Sequence, residues 1–519
     1  MNCLSLMLNR GAEERKFAYH AKCHSTRLTH LCFADDLLIF TDGTLESVQA
    51  VISILDEFAL HSGLKISVQK SSFFSSGISQ DQVNLISSAM GLSPGVLPVR
   101  YLGVPLTTKK LSLYNCGPLI QQIKPRVNSW SSRALSFAGR LLLINTGSHS
   151  AKVSWETCTL DKSEGGLGCR DLVNWNTACI LKLIWMLFTC SRSIWVAWFK
   201  KEVLKGSLNH IWSATTKSKF SWLTNKLLKS SNLAYSWIKI RVGGGTSVRF
   251  WYDNWSPFGK LLDVISPGRT NTMGIPLSAT LADIYSDGAW KIRLARSDIQ
   301  IQVQSFMTTL TLTDTDDSYY WETEGKEWTR YRTGRIYYLL KNHAHTVPWW
   351  KLVWNKGGIP KHSFSAWNTM LNRMPTKDRI ISWGLQATPA CILCTSGFES
   401  RDHLYFNCDY SWELWKPLAL RCGLTPSRLW TDTISSLLTL SSPAWQRRLI
   451  LLVWQLVMYS IWQERNSRIH RQIFKPKGTI SNSIDRTLWN KIHSSREANP
   501  TMASNMIQFW IASSLHSTP

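Results

Sequence analysis

The clearest pattern near the start of the chain is a pair of short apolar runs that flank two adjacent acidic residues. Residues 28–34 and 37–41 are rich in Leu, Ile, Phe and Cys, a composition that favours β-strands. Asp35 and Asp36 stand between the two runs. The pattern therefore predicts two strands with a carboxylate pair where they meet.

A helical period follows these strands. Apolar residues recur three and four positions apart between Val48 and Ala59, Thr44 can cap the start of the helix, and Gly63 can end it. The other elements predicted up to residue 147 are a strand at 64–68, a helix at 81–90 closed by Gly91, a strand at 99–106 and helices within 110–145. This order of elements is typical of an α+β domain.

The middle of the chain has a different pattern. Residues 148–330 are rich in Trp and in basic side chains. Two strand-like runs around the glycines at 243–245 predict a β-hairpin at 237–252, and the polar residues at 265–330 favour a loop or linker. Helical periodicity returns in two later segments, 330–384 and 445–471.

Composition narrows the classes of protein that this pattern can form. The chain has 519 residues, of which 44% are hydrophobic and 27 are Trp, so it is not a disordered protein. Its formal net charge of +25 favours a polyanionic partner. Nucleic acid is the first such partner and an anionic membrane surface the second. The alternative is a basic protein without a polyanionic partner.

Cysteine usage and the apolar runs indicate a cellular compartment. Twelve cysteines in this length do not form a disulfide-dense framework, and the charged residues from Arg10 to Lys16 do not fit a signal peptide. The longest apolar run, Leu449–Trp462, is shorter than the ~20 residues that a membrane span needs. We therefore predict a buried helix there and an intracellular protein, nuclear or cytoplasmic, without a transmembrane segment.

The carboxylate pair has two interpretations. Two carboxylates between apolar strands are costly unless they bind a cation, and polymerases place such a pair on a hairpin to hold Mg²⁺. Successive side chains of a strand point to opposite faces, so Asp35 is the better direct ligand and Asp36 need not be one. The alternative is a surface turn, because turns favour Asp.

Four sequence blocks in order decide between these interpretations. They are LTHLCFADDLLIF, SGLKISVQKS, RYLGVPL and RALSFAGRLLLINT. The series resembles the reverse transcriptases of plant LINE-like (non-LTR) retrotransposons. The resemblance implies a partial right-hand polymerase palm and thumb in residues 1–147. It also implies that Asp35 is a Mg²⁺ ligand and Asp36 its weaker neighbour.

The resemblance assigns roles to two further groups of residues. Lys65 or Lys70 would act near the pyrophosphate leaving group, although a solvated surface lysine is an equally good interpretation. The block with Tyr101, Leu102 and Gly103 resembles the turn that grips the primer. These three residues are therefore predicted nucleic-acid contacts.

Two departures from the family pattern predict that this chain is truncated and does not polymerise by itself. The family's first catalytic aspartate lies upstream of the carboxylate hairpin, whereas Glu13 and Glu14 here stand in a charged run. A site that lacks a main metal ligand should lose most of its electrostatic stabilisation. The resemblance also predicts the loss of a segment near 146–150, where two family blocks nearly abut.

Four cysteine and histidine residues predict a metal site. Cys391, Cys394, His403 and Cys408 form the pattern C-x2-C-x8-H-x4-C. Four filled positions suit a structural tetrahedral Zn²⁺ site. The alternative is a set of buried free thiols and one hydrogen-bonded histidine. The surrounding sequence resembles the zinc-binding domain that follows the polymerase in plant LINE-like elements, which implies a role in holding RNA or DNA.

Basic and aromatic residues interleave between positions 217 and 255. Lys239, Arg241 and Arg249 could meet phosphates while neighbouring rings stack on bases. The interpretation favoured for most of these Trp residues is core packing. The glycines at 243–245 lack the Lys-Ser/Thr of a phosphate loop and are interpreted as a turn.

The predicted fold class is α+β, in four parts. They are a truncated palm and thumb at 1–147, a mostly helical basic connector at 148–330, a small zinc-binding domain at 331–420, and C-terminal helices with a tail at 421–519. The leading function hypothesis is an inactive reverse-transcriptase-like protein. The alternatives are a non-catalytic zinc-dependent nucleic-acid-binding protein and a relic reading frame without function.

Overall fold

The structure is a computed structural model, and it describes residues 2–34, 36–102, 104–107, 112–129, 153–189, 193–265, 273–328 and 330–515. The chain divides into two compact units. The first unit comprises 1–124 and 172–340, and the second comprises 125–171 and 341–519. Helices alternate with small sheets in the described residues, which confirms the α+β class.

The N-terminal part of the chain combines four helices with three pairs of short strands. The elements are α1 (Asn2–Glu13), β1 (His30–Phe33), β2 (Asp36–Ile39), α2 (Leu45–Ser62), β3 (Ser72–Phe73), α3 (Gln80–Met90), β4 (Ser93–Pro94), β5 (Val99–Tyr101), β6 (Val104–Leu106) and α4 (Gly117–Ser129). The caps predicted for α2 are confirmed: the Thr44 side chain accepts a hydrogen bond from Ser47 N, and Gly63 adopts φ +73°. Gly91 ends α3 in the same way.

The strands of this part form separate two-stranded sheets. β1 and β2 are antiparallel, with Phe33 opposite Asp36. β5 and β6 fold back on each other, so the single strand predicted at 99–106 is wrong. The strand predicted at 64–68 is also wrong, because residues 64–67 are irregular and Val68–Lys70 forms a 3₁₀ turn.

The rest of the first unit is built around two adjoining apolar cores. The helix α5 (Trp155–Thr159) comes first in the chain but belongs to the second unit. The elements of the first unit that follow it are α6 (Leu172–Thr189), α7 (Ile194–Glu202), α8 (Trp222–Tyr235), β7 (Ile238–Arg241), α9 (Leu261–Ile265), β8 (Tyr285–Ser286), β9 (Ala289–Trp290), α10 (Asp298–Thr308), β10 (Ser318–Thr323), β11 (Lys326–Trp328) and α11 (Thr333–Leu340). The strand order of its main sheet is β11-β10-β7.

Two predictions for this region are wrong. β7 does not pair with residues 248–252, as the predicted hairpin at 237–252 requires, but with β10, where Trp321 lies opposite Ile238. Val248 and Phe250 instead enter the core, fully buried. Residues 265–330 are more than a linker, because α10 and the β10–β11 hairpin lie within them.

One helix among the described residues, α6, is long and apolar enough to cross a membrane by length and composition alone. Its contacts are those of a core helix. It packs on α8 and α11, and it buries Leu181, Ile184 and Trp185. A helix with one face inside a protein core passes the same length and composition test as a membrane span.

The second unit is mostly helical. From residue 341 onward its elements are α12 (Trp350–Val353), α13 (Pro360–Met370), α14 (Lys377–Ser382), α15 (Asp409–Arg421), α16 (Trp430–Leu438), α17 (Ala444–Arg471), α18 (Lys477–His493) and α19 (Pro500–Leu515). The buried helix predicted from the apolar run is confirmed: residues 449–458 of α17 are all buried. α13, α15, α18 and α19 pack around α17, which therefore forms the centre of this unit.

Candidate metal centre

A short loop and a distorted helical turn carry the four predicted metal ligands. Cys391 and Cys394 lie in a loop closed by Cys391 N, which donates to Gly397 O at 2.7 Å. His403 begins a π-helical turn, and Cys408, which follows it, is the N-cap of α15. Cys408 N donates to His403 O at 2.7 Å. Local backbone bonds thus place two ligands on each of two facing segments.

The four side chains converge on a common point. Their ligand atoms all lie within 4.8 Å of one another. Cys391 Sγ and Cys408 Sγ are 4.0 Å apart, and Cys394 Sγ is 3.2 Å from His403 Nε2. Two sulfurs on a tetrahedral zinc with bonds of about 2.3 Å lie about 3.8 Å apart. The donor set and its spacing therefore fit Zn²⁺.

A glycine leaves room for the histidine ring. A Cβ added to Gly397 would lie 2.5 Å from His403 Cε1, closer than carbon atoms can approach. The loop can therefore fold against the ring only if this position lacks a side chain. Gly397 is a residue of the site that the sequence analysis missed, although its place between Cys394 and His403 was visible.

A hydrogen bond joins two of the thiols: Cys391 Sγ donates to Cys408 Sγ. The bond with Cys408, followed by burial, raises the pKa of the Cys391 thiol. The same bond lowers the pKa of Cys408. Since thiolates are the species that ligate zinc, zinc binding at this pair releases protons.

A buried ion pair between Glu399 and Arg465 stabilises the metal loop. Glu399 Oε1 accepts hydrogen bonds from Arg465 Nη2 at 2.7 Å and from Lys377 N at 3.1 Å. The side chains of Glu399 and Arg465 are 0% and 3% exposed. Arg465 Nη2 also donates to Pro375 O at 3.2 Å. This network connects the metal loop to α14 and to α17.

A second arginine of α17 contacts the metal loop directly. Arg468 Nη1 donates to Leu393 O at 3.2 Å and lies 3.4 Å from Ile392 O, and both carbonyls stand between Cys391 and Cys394. Arg468 Nε donates to Glu464 at 2.9 Å. Neither arginine was predicted from the sequence. The signal was their position, three residues apart at the end of an apolar buried helix.

Of the predicted carboxylate pair, the structure describes one member. Asp36 begins β2 and is exposed, and Asp35 lies outside the described residues. Lys65 and Lys70 are both exposed. Among the described residues, His, Cys, Asp and Glu side chains form a group of metal-binding size only at the cysteine–histidine cluster. Glu14, one of two acidic residues before the hairpin, is paired with Arg10 and Lys16.

The predicted primer-contact turn lies in a sheet separate from the carboxylate hairpin. Tyr101 ends β5 and is half-buried, and Leu102 is exposed with φ +51°. Gly103 and the block at 133–146 lie outside the described residues. The β1–β2 and β5–β6 pairs share no hydrogen-bonded strand.

The three basic residues predicted to meet phosphates all have partners within the chain. Lys239 Nζ donates to Asn254 Oδ1 at 3.3 Å, and Arg241 Nη2 donates to Glu327 at 2.9 Å. The Arg249 guanidinium lies 4.5 Å from the centroid of the Tyr252 ring, and burial lowers its pKa. Of the three, Arg241 is the most exposed, so it is the one most available to a phosphate.

The glycine run holds a carboxylate of the chain itself. Gly243 N and Gly245 N donate to Asp317 Oδ1 at 2.8 and 2.9 Å, and Ser247 N donates to Oδ2 at 3.0 Å. These bonds lower the pKa of Asp317 against the opposing effect of its burial. Asp317 directly precedes β10, so its bonds also bring β10 to β7. This explains why the predicted hairpin does not form.

Two segments of the chain match known protein families. Residues 6–106 match the family of reverse transcriptases (RNA-dependent DNA polymerases), and residues 331–415 match the family described as zinc-binding in reverse transcriptase. The first match contains Asp36, and the second contains all four cysteine and histidine side chains.

A curated protein of Arabidopsis thaliana, named as a ribonuclease H protein, is 25% identical to this chain over 206 residues. The aligned part covers 31% of this chain and 32% of that protein, so about a third of the relative's length is matched. Together, the two family matches and this similarity show that two parts of the chain resemble reverse transcriptases and the zinc-binding domain associated with them.

Proposed function

We propose that this protein is a zinc-dependent nucleic-acid-binding member of the reverse transcriptase group, of the LINE-like type, and that it does not polymerise by itself. The observation that carries the proposal is the convergence of Cys391, Cys394, His403 and Cys408 within 4.8 Å. In this proposal the four side chains ligate a structural Zn²⁺. The net charge of +25 supports RNA or DNA as the partner.

The zinc assignment is tested by metal analysis of the purified full chain. We expect one zinc per chain, retained through dialysis. Replacement of Cys408 by Ser should abolish stoichiometric zinc, whereas replacement of the exposed Cys3 should leave it unchanged. Equal zinc content in the two variants would contradict the assignment.

Nucleic-acid binding is tested by fluorescence anisotropy with labelled RNA and DNA at increasing salt. We expect the logarithm of the affinity to fall linearly with the logarithm of the salt concentration, because cationic side chains release counterions from phosphates. No binding at low salt would exclude nucleic acid as the partner, and an affinity that does not depend on salt would exclude phosphate contacts as its main source.

The proposed lack of polymerase activity rests on the surroundings of the carboxylate hairpin. We propose that residues 1–147 correspond to part of a palm and thumb, with Asp35 as the direct Mg²⁺ ligand and Asp36 beside it. Support comes from Glu14, an acidic residue before the hairpin, which stands in a charged run and is paired with Arg10 and Lys16. A two-metal centre needs several carboxylates around both ions.

Primer extension measures this property directly. The full chain, a primed RNA template, deoxynucleotides and Mg²⁺ or Mn²⁺ should yield no extended product. Templated extension that Asp36→Asn leaves intact but Asp35→Asn abolishes would overturn the proposed inactivity and would assign Asp35 as the ligand.

We further propose a nuclear or cytoplasmic location, where thiols stay reduced.

A further inference from the structure

A cavity lies beside the metal loop within the second unit. Its volume is about 1220 Å³, larger than the ~300–1,000 Å³ of pockets for small molecules. Residues of α13, α14 and the second half of α17 line it, and Ile392, which stands between Cys391 and Cys394, forms part of the wall. The cavity therefore adjoins the proposed zinc site but does not include its ligands.

The charge of the wall is positive. Lys361, Lys377, Arg465 and Arg468 line the cavity, and among its lining residues in the described part of the chain none is Asp or Glu. Each arginine forms an ion pair within the chain: Arg465 with Glu399, and Arg468 with Glu464. The lysines are the cations left for a ligand.

Lys377 is an unusual lysine because it is buried and no carboxylate of the described residues lies at its ammonium group. It is 9% exposed. Its Nζ donates to Ala390 O at 2.6 Å and lies 3.4 Å from Thr388 Oγ1, and both oxygens are neutral. A buried ammonium group is costly unless an anion compensates it. An anionic ligand in the cavity would supply that charge.

Two aromatic rings and two arginines of α17 line the cavity. Tyr459, Trp462, Arg465 and Arg468 follow one another at intervals of three residues and all line the cavity. Positions three apart are neighbours on the surface of a helix, so each side chain of the series lies next to the one that follows it. Lys361 Nζ lies 5.2 Å from the centroid of the Tyr459 ring, so a cation from α13 joins this row. Rings beside ammonium and guanidinium groups are the combination that holds bases and phosphates together.

We propose that this cavity binds a segment of single-stranded nucleic acid, with Lys361 and Lys377 on its phosphates and Tyr459 and Trp462 against its bases. The proposal rests on the proposed function and assigns it a site and a strand type. A recessed ring can reach only a base that is free to leave its stack, whereas the bases of a duplex are stacked inside the helix. The volume accommodates more than one nucleotide, as a strand requires.

The test compares cavity variants with a matched charge variant in the full zinc-loaded chain. Anisotropy is measured with a labelled oligouridine strand and with an RNA duplex of the same length. Trp462→Ala should weaken single-strand binding about tenfold, and Trp462→Phe, which keeps a ring, should restore most of it. Lys361→Glu should lower affinity and reduce the salt slope by about 1. Lys416→Glu, an exposed substitution on α15 outside the cavity, should change affinity much less.

Photo-cross-linking provides a second measurement that does not depend on affinity. A strand with 4-thiouridine should cross-link to the peptide that contains Tyr459 and Trp462, as mapped by mass spectrometry. Thermal melting of each variant separates loss of binding from loss of folding. Cross-links elsewhere, or equal effects of Lys361→Glu and Lys416→Glu, would overturn the cavity assignment while the proposed function stands. Tighter binding of the duplex would overturn the strand type, and no binding of any nucleic acid would overturn the proposed function itself.

Discussion

The carboxylate hairpin and the cysteine–histidine cluster are both short motifs, but the structure surrounds them very differently. Around the hairpin, strands pair only two at a time, and Phe33 and Asp36 are exposed. Around the cluster, buried charges and backbone bonds reach from two helices, α14 and α17, to one loop. A short motif can resemble a protein family through its sequence alone. A site exists only where distant residues hold the motif in shape.

Removal of the proposed zinc should have the largest effect on this contrast. Cys408→Ser, or a strong chelator, should abolish cooperative melting of the second unit and leave the first unit's transition in place. Structural zinc contributes on the order of 10 kcal/mol of apparent binding free energy, which this unit would lose. Differential scanning calorimetry measures both transitions, with Cys3→Ser as the control. Loss of both transitions together would show that the two units do not differ in how far their stability depends on zinc.

Breaking the buried ion pair should have the next largest effect. Arg465→Ala leaves the Glu399 carboxylate buried without its cation, so we expect a loss of about 3–5 kcal/mol in the free energy of unfolding. The matched change in the first unit is Arg241→Ala, whose partner Glu327 is 55% exposed. That change should cost less than about 1 kcal/mol. Denaturant titration gives both values, and similar losses would remove the distinction between a held site and a surface pair.

The first unit contains a buried carboxyl of its own, which predicts a dependence on pH. Burial, opposed by the Arg249 backbone N–H, raises the pKa of Asp253 from 3.8 to about 7. The folded state thus keeps this proton at a pH where the unfolded state has lost it. Stability from this group is full below about pH 4 and is lost as the pH rises towards 7.

Replacing the carboxyl by an amide tests this pH dependence. At pH 8, Asp253→Asn should stabilise the first unit by about 2 kcal/mol, because no charge must be buried. At pH 4 it should have little effect. Asp283, whose pKa is lowered by the Thr280 backbone, is the control with the opposite sign: its contribution is lost as the pH falls. Thermal melts from pH 4 to 8 distinguish the two, and a variant as pH-dependent as the parent would contradict the assignment.

The smallest expected effect comes from filling the space beside the histidine ring. Gly397→Ala should weaken zinc affinity about tenfold by displacing His403, as substitutions next to metal ligands do. Gly334→Ala meets no atom within 4 Å and should leave affinity unchanged. Competition with a chelating dye measures both. Unchanged affinity in Gly397→Ala would mean that the loop relaxes around the new methyl group.

Local sequence signals predicted the parts of the fold that depend on neighbours in the chain. Thr44 and Gly63 delimit α2, and the apolar run in α17 is a buried helix, because caps and periodicity act within a few residues. The ligand set of the candidate metal centre was predicted for the same reason, since its members fall within eighteen positions.

Contacts distant in sequence could not be predicted in this way. The pairing of β7 with β10 depends on Asp317, which is 74 residues from Gly243. The bond from Arg465 to Glu399 spans 66 residues. Neither pair has a local spacing that would reveal it. The glycine run shows the resulting error: its amides bind a carboxylate that precedes β10, so they direct the chain to a distant strand instead of the next one.

The bonds from Arg465 and Arg468 to the metal loop also bear on how this region can evolve or be engineered. The family match ends at residue 415, but these arginines lie about fifty positions later. A recombination breakpoint or a domain swap at the end of the match would separate the loop from the helix that shapes it. Related proteins should therefore inherit the metal loop and this helix together. A change at position 399 should be accompanied by a compensating change at position 465.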